Sequence, residues 1–346
     1  MPGVSQRGEY LGVPDVTPAP AAGRSAPASN NDPVDGPQAN LGLQRREPGI
    51  AVTVLALVIM QLLLLHRLVP NLGGYASLAE SFLPWLGLPI IVLAALVLRR
   101  FSRLAALAVA ASAIVWTLLF APSIVPHGDF ETGFVGGTLT VASENVKAGN
   151  PRAGQVAADL AESGADLVAL QELDSGSQAA VSAVLDPTHP FSTIVGTVGI
   201  WSKKPILDSR SLDLGLGWTR ALWVDVDTVV GRTRVYVVHL DSVRPGQTSQ
   251  RDEMLGELRT TLAADGAERI VVIGDFNSAT TDREFDRLTD TVTDIGTTTA
   301  GLGFTWPSAF PLARLDHALV RGLTPLSSVV LPANGSDHRG IVVALR

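Results

Sequence analysis

Ile270-Val271-Val272-Ile273-Gly274-Asp275-Phe276-Asn277 joins an apolar run to a block of polar groups. Four aliphatic residues in succession, all β-branched, read as a strand buried on both faces. Gly274 is where the chain turns, so Asp275 and Asn277 project from the strand's end, a place where many folds build their sites. Further along, Ser336-Asp337-His338 also adjoins an apolar run and carries groups that bind metal and move protons. Together the two blocks suit phosphoester hydrolysis.

Outward from this strand, short β-rich runs occur at 139–143, 167–170, 199–201, 221–226, 235–239, 317–320 and 341–345. Helical spacing occupies 154–163, after Asn150-Pro151, and 250–264. A tight hairpin is expected at Val230-Gly231-Arg232. The mixture predicts two packed sheets flanked by helices over 137–346. No internal repeat is visible in the residue order.

The first part of the chain has a different character. Residues 1–46 are rich in Pro, Gly, Ala, Ser and Asn with few large apolar side chains, a composition that cannot repay the entropy of ordering, so a disordered cytoplasmic tail is expected. Three nearly uncharged runs follow within 47–126: the first from Ala51 to Leu65 and on to Pro70, then 82–98 and 104–125. Their length and lack of charge favour three transmembrane helices over core helices of a soluble domain. No short cleavable apolar segment begins near Met1. Arg45-Arg46 precede the first run, and Arg99, Arg100 and Arg103 separate the second from the third. By the positive-inside rule both loops are cytoplasmic and everything after about residue 126 lies outside, with His66-Arg67 as the minor opposing count.

The chain has 346 residues, a net charge of −7 and no cysteine. An acidic balance gives no basic footprint for nucleic acid. Absence of cysteine fits an extracytoplasmic domain without disulfides and a cytosolic one equally.

Polar residues end the predicted strands: Asn145, Glu172, His239, Asp275 with Asn277, Asp316-His317 and Asp337-His338. Carboxylates with amide oxygens make a hard, oxygen-rich set suited to Mg²⁺ or Mn²⁺ rather than zinc. A His oriented by an Asp serves as a base, or as a phosphate-binding cation, according to its pKa.

In this order the blocks resemble the endonuclease/exonuclease/phosphatase superfamily: Ala142-Ser143-Glu144-Asn145-Val146, Leu170-Gln171-Glu172, Trp201-Ser202-Lys203-Lys204-Pro205-Ile206, Val238-His239-Leu240, Gly274-Asp275-Phe276-Asn277, Arg314-Leu315-Asp316-His317 and Ser336-Asp337-His338. The resemblance implies a four-layered α/β sandwich. It also implies Glu172 as principal metal ligand with Asn145 and Asp337 near the ion, and Asp275 positioning the attacking water. Asn277 would hold a phosphate oxygen, His239 would contact the phosphoryl group or leaving oxygen, and His338 would be base or protonated phosphate ligand oriented by Asp316. The choice of base between Asp275 and His338 stays open. Glu144 departs from the usual pattern and reads either as a second carboxylate at the metal or as a solvated strand-end charge. Lys203-Lys204 stand where an Arg plus an aromatic is frequent, and the segment between Asp174 and Phe191 is short for a DNA-gripping insert.

Three N-terminal spans before such a domain resemble the membrane-anchored VanJ-type subgroup, associated with teicoplanin resistance and proposed to act on prenyl pyrophosphates. Tethering raises the local concentration of membrane substrates. The expected activity is therefore hydrolysis of a lipid-linked phosphate ester or pyrophosphate at the outer membrane face. The alternatives are an extracellular Mg-dependent nuclease and a catalytically inactive lipid- or partner-binding module.

Overall fold

Two sheets of opposite-facing apolar strands carry the fold. The computed structural model describes residues 48–99, 102–125, 137–244, 246, 248–299 and 301–346. The tail expected over 1–46 lies outside the described residues, as do Arg45, Arg46 and Arg100.

In chain order the helices are α1 (Pro48–Leu65), α2 (Tyr75–Ser81), α3 (Gly87–Arg99), α4 (Arg103–Ile124), α5 (Ala153–Glu162), α6 (Ser175–Leu185), α7 (Ser249–Ala264) and α8 (Arg283–Leu288). The strands are β1 (Leu139–Asn145), β2 (Leu167–Gln171), β3 (Phe191–Val195), β4 (Val198–Ser202), β5 (Ile206–Leu212), β6 (Ala221–Thr228), β7 (Gly231–His239), β8 (Ile270–Asp275), β9 (Thr293–Asp294), β10 (Asp316–Arg321), β11 (Pro325–Val330) and β12 (Ile341–Leu345).

One sheet runs β11-β12-β1-β2-β4-β3 and the other β5-β6-β7-β8-β10-β9. In each the central pair is parallel, β1 with β2 and β7 with β8, and every other pairing is antiparallel. Each parallel pair is joined by a helical crossover, α5 or α7, as parallel strands require. The two sheets thus share one plan that the residue order does not repeat.

The run Ile270 to Ile273 is apolar throughout because β8 packs on both faces. Val271 and Ile273 point into the inter-sheet core with Val141, Ile200, Val224 and Val237. Ile270 and Val272 point outward against Leu258 and Leu262 of α7. On the far side, Val156, Leu160, Val181 and Leu185 of α5 and α6 cover Val168, Leu170 and Trp201. The layers are therefore helices, sheet, sheet, helices. The hairpin between β6 and β7 pairs Thr228 with Gly231, so its turn is Val229-Val230, slightly earlier than expected.

Among the described residues two helices are long and apolar enough to cross a membrane, over Gly49–Leu68 and Arg103–Ile124. The middle run is different. Leu72–Ser81 and Leu83–Arg99 meet at a 63° bend, so the spans number two, or three if the bent pair is one. Its cause is visible in the side chains: α2 turns Ser77 and Glu80 toward the α/β domain, and Pro84 opens the short 3₁₀ turn before α3. Glu80 Oε1 accepts from Arg283 Nη2 at 2.6 Å and Nε at 3.0 Å, and Ser77 Oγ accepts from Arg251 Nη2 at 3.0 Å.

α1 and α4 run side by side in the same direction. Ser112 Oγ donates to Ala56 O at 2.8 Å, and a Cβ on Gly49 would sit 2.9 Å from Ser102 Oγ. Small residues at such a contact let helices approach closely. Arg99 and Arg103 stand at this shared starting end. The α/β domain docks at the other end, where Trp85 Nε1 donates to Leu312 O at 2.8 Å and Gly301 N to Ile124 O at 3.1 Å.

Candidate active site

The two parallel pairs deliver their C-terminal ends to one place. Register sets Asn145 beside Gln171, His239 beside Asp275, and Asp316 beside Asp275. Gly274 permits the approach of β7 and β8: its φ is 142°, and a Cβ there would lie 2.1 Å from Val238 O.

Among the described residues three non-glycines have positive φ, namely Lys147 (66°), Glu172 (58°) and Asn277 (47°), and all three surround this point. Left-handed backbone at non-glycine residues persists where the surroundings impose it, and such strain collects at functional sites. Here it aims two of the expected groups, Glu172 and Asn277.

Asn145 ties the carboxylates together. Its Nδ2 donates to Glu172 Oε1 and to Asp275 Oδ2, both at 3.0 Å, while its Oδ1 accepts from Lys147 N at 2.9 Å. Glu172 Oε2 accepts from Ala148 N at 2.9 Å. Asn277 Nδ2 donates to Leu240 O at 2.9 Å and to Asp275 Oδ2 at 3.3 Å. His239 Nε2 stands 3.6 Å from Glu172 Oε1 and 3.8 Å from Asp275 Oδ2. On the opposite side His338 Nε2 lies 3.7 Å from Asp275 Oδ2, and its Nδ1 donates to Asp316 Oδ2 at 2.8 Å.

Burial and charge divide the work. Burial pushes the Asp275 carboxyl up to about 6, with the His338 cation pulling against it. Burial alone would depress His338, but the Asp316 and Asp275 carboxylates overcome it and raise the imidazole to about 10. His239 goes the other way: burial, then the Arg220 and His338 cations, hold it well below its ordinary value. It is a neutral imidazole beside an imidazolium.

The site brings together Asn145, Glu172, His239, Asp275, Asn277, Asp316 and His338. Asp337 stands at its rim, half-exposed, with its carboxylate 3.8 Å from Lys147 Nζ. Glu172 and Asp275 turn oxygens toward one amide, and only part of Glu172 is open to solvent. Carboxylate oxygens of this kind are hard donors, the class a divalent cation takes. Asp275, Asp316 and His338 also lie close enough together to hold a metal ion.

Two expectations change. Glu144 is neither a metal ligand nor solvated: strand alternation sends it to the face opposite Asn145, where it is fully buried and accepts from Asn334 Nδ2 at 3.0 Å. Burial raises its pKa well above the ordinary value. Lys203 lies just beyond Ser202, which pairs with Leu167 at the start of β2, so it occupies the opposite end of the sheet from Glu172.

Arg220, which with Arg244 and Arg251 reads from the sequence as a possible anion contact or an ordinary surface arginine, is buried beside a site histidine instead. Its Nη2 lies 2.5 Å from His239 Nε2, and its Nη1 donates to Asp241 Oδ1 at 3.3 Å. A two-residue turn at Val229-Val230 carries the β6–β7 register back to place Arg220 opposite His239, whereas a turn centred on Gly231 would have put Trp223 there. Thr305 also contributes: its hydroxyl accepts from Leu315 N and Asp316 N and fixes the start of β10.

Fold and site together define a phosphoesterase-type α/β sandwich. The pattern of the Endonuclease/Exonuclease/phosphatase family matches residues 141–338, a span that holds every group above. The chain belongs to this family, whose members are hydrolases acting on phosphate esters. Three solved structures share the fold: a humanized D. rerio TDP2 carrying 14 mutations (20% identity, 61% of this chain and 100% of that one, TM-score 0.52), a family protein from Bacteroides vulgatus (20%, 60% and 98%, 0.51) and one from Bacteroides thetaiotaomicron (18%, 60% and 97%, 0.52). No curated protein matches the chain.

Proposed function

We propose that the protein is a membrane-anchored, metal-dependent phosphohydrolase that cleaves a phosphate ester or pyrophosphate of a lipid-linked substrate at the extracytoplasmic face. The observation that carries this reading is where the helices dock. Gly73 O accepts from Gly246 N at 2.6 Å, Ser77 meets Arg251, and Glu80 meets Thr281 and Arg283. These contacts fall on the segments that follow β7 and β8, the strands ending in His239 and Asp275. The reacting end of the domain therefore faces the bundle.

Glu172 would hold Mg²⁺ or Mn²⁺, which when bound neutralises phosphoryl charge. Asn145 keeps the Glu172 and Asp275 carboxylates in register, and Asp337 stands at the rim beside Lys147. Asp275, its Oδ2 facing both histidines, orients the attacking water and accepts its proton at Oδ2. His338, protonated and held by Asp316, pairs with a phosphoryl oxygen. Asn277 binds a second oxygen, and the neutral His239, backed by Arg220, faces the leaving group. This assigns the base to Asp275 and the cation to His338.

A prenyl pyrophosphate carrier of the kind linked to glycopeptide resistance is the leading substrate. The test is phosphate release by purified full-length protein with Mg²⁺ or Mn²⁺ from undecaprenyl pyrophosphate, phospholipid and DNA, with Glu172→Ala as control. Release from a lipid that vanishes in the variant supports the reading. Cleavage of DNA alone makes the protein a nuclease, and no hydrolysis at all makes it a binding module. A reporter fused after Arg346 that works only in the cytoplasm would overturn the assigned face.

A further inference from the structure

An apolar cleft of about 400 Å³ opens where the bundle meets the α/β domain. Its walls are Leu88 and Ile91 of α3, Ala113 and Trp116 of α4, and Leu302 and Phe304 of the domain. Leu88 and Ile91 are 56% and 66% exposed, on helices whose remaining outer surface is equally apolar. The cleft is thus open sideways, toward whatever surrounds α3 and α4.

Both indoles are turned so that their polar atoms are spent elsewhere. Trp116 Nε1 donates to Pro84 O at 2.8 Å and Trp85 Nε1 to Leu312 O at 2.8 Å, while Trp85 stacks on Phe304 with ring centroids 5.7 Å apart. Gly87 is needed for this, since a Cβ there would come 2.8 Å from the Trp116 ring. What remains in the cleft is hydrocarbon and aromatic face. Ala113 and Thr117 lie two to three turns before the end of α4, about 10–16 Å deep at the helical rise. That depth is about half the hydrocarbon thickness of a bilayer.

At its domain end the cleft shares Pro84, Leu302 and Phe304 with a second, more polar cavity of about 520 Å³. This one reaches Ala279, Thr280 and Thr281, directly after the Gly274–Asn277 block, and Arg314, two residues before Asp316. Phe304 also precedes Thr305, whose hydroxyl fixes the Asp316 backbone.

The geometry points to a binding site for the hydrocarbon chain of the substrate, which enters sideways from one leaflet and lies between α3, α4 and the Phe304 loop. The inference rests on the lipid-linked reading of the substrate and assigns its tail. The chain passes from one apolar medium to another, so the cleft contributes by packing and by holding the headgroup in place rather than by removal from water.

The test compares wild type with Ala113→Trp and Ile91→Trp, in mixed micelles, on undecaprenyl pyrophosphate and on water-soluble bis(p-nitrophenyl) phosphate. Ile91 is exposed, so its replacement leaves the packing intact. The expected result is a KM for the lipid raised about tenfold or more, equivalent to about 1.4 kcal/mol, with turnover of the soluble ester unchanged. Unchanged KM values in both variants would overturn the site. A lipid with a diazirine at its chain end, in phosphatidylglycerol vesicles, supplies a readout free of catalysis: labelling of Leu302 and Phe304 that Ala113→Trp blocks. Labelling without any hydrolysis sustains the cleft and defeats the hydrolase reading, whereas hydrolysis without labelling defeats the cleft alone.

Discussion

His338 Nδ1 stands 2.8 Å from Asp316 Oδ2, with both side chains almost wholly withdrawn from water. The imidazole is held charged by its partner. Because the folded pKa of about 10 lies above the ordinary value, the pair's contribution to stability is complete below about pH 6.5 and is lost as pH rises through 10. Asp316→Asn removes the main opposing charge. An NMR titration of His338 is expected to move down by more than one pH unit in the variant, with hydrolysis near pH 8 falling by about 10²–10³-fold as the cation at the phosphoryl oxygen is lost. An imidazole still titrating near 10 would show that Asp316 is not what holds it.

Glu172 sits at a φ of 58°, a conformation that costs a side-chain-bearing residue about 1–2 kcal/mol and glycine little. Glu172→Gly and Glu172→Ala should both lose Mn²⁺ binding in calorimetry. Thermal melts should nevertheless find the Gly variant more stable than the Ala variant by about 1 kcal/mol. Equal melting temperatures would mean the backbone relaxes and carries no strain.

Arg220 keeps His239 neutral, second to burial itself. In Arg220→Gln the His239 pKa rises. If a neutral imidazole is needed, the acid side of the pH–rate profile shifts to higher pH and more activity is lost near pH 6 than near pH 9. A loss uniform across pH would assign Arg220 a steric part only.

Asp225 is paired with both Arg232 and Arg234, which outweigh its burial and lower its pKa. A depressed carboxylate contributes stability above its unfolded pKa of about 3.9, lost as pH falls through the folded value. Asp225→Asn should therefore lower the melting temperature at pH 7, and by progressively less as pH falls below about 3.9. A drop of the same size throughout would point to packing rather than charge.

Glu80 and Arg283 pair at 2.6 Å with Glu80 only 1% exposed. Breaking one side of a buried pair costs about 3–5 kcal/mol. Glu80→Ala should reduce the stability of the detergent-solubilised protein by that order, and Glu80→Ala with Arg283→Met should recover part of it.

Much of this site is legible because strand ends are punctuated. Asn145, Glu172, His239 and Asp275 each follow an apolar run, and parallel pairing turns that linear regularity into one place in space. Edge strands were the blind spot: β5, with Leu207 to Ser211 exposed, and β3, beginning at the exposed Phe191 and Ser192, lack the buried run that marks the others. α6 is hidden by Ser and Gly, although the Asp174 capping box announces it. Arg220 required a register, which depended on placing one turn a residue or two earlier. Glu144 was misjudged by ignoring alternation: its neighbour Asn145 enters the site, so Glu144 must leave it. The bend before α3 depends on Glu80 finding Arg283, a contact between residues far apart in the chain.

The bonds from Ser77, Glu80 and Trp85 to Arg251, Arg283 and Leu312 have a practical meaning for how this protein is handled by a cell. Severing the backbone between Ile124 and Leu139 does not free the domain, because its attachment is noncovalent and lies elsewhere. A protease acting there would yield a nicked protein whose domain stays bound to α2 and to the turn before α3. Expression of 137–346 alone would bare Arg251 and Arg283 on a surface shaped to receive α2.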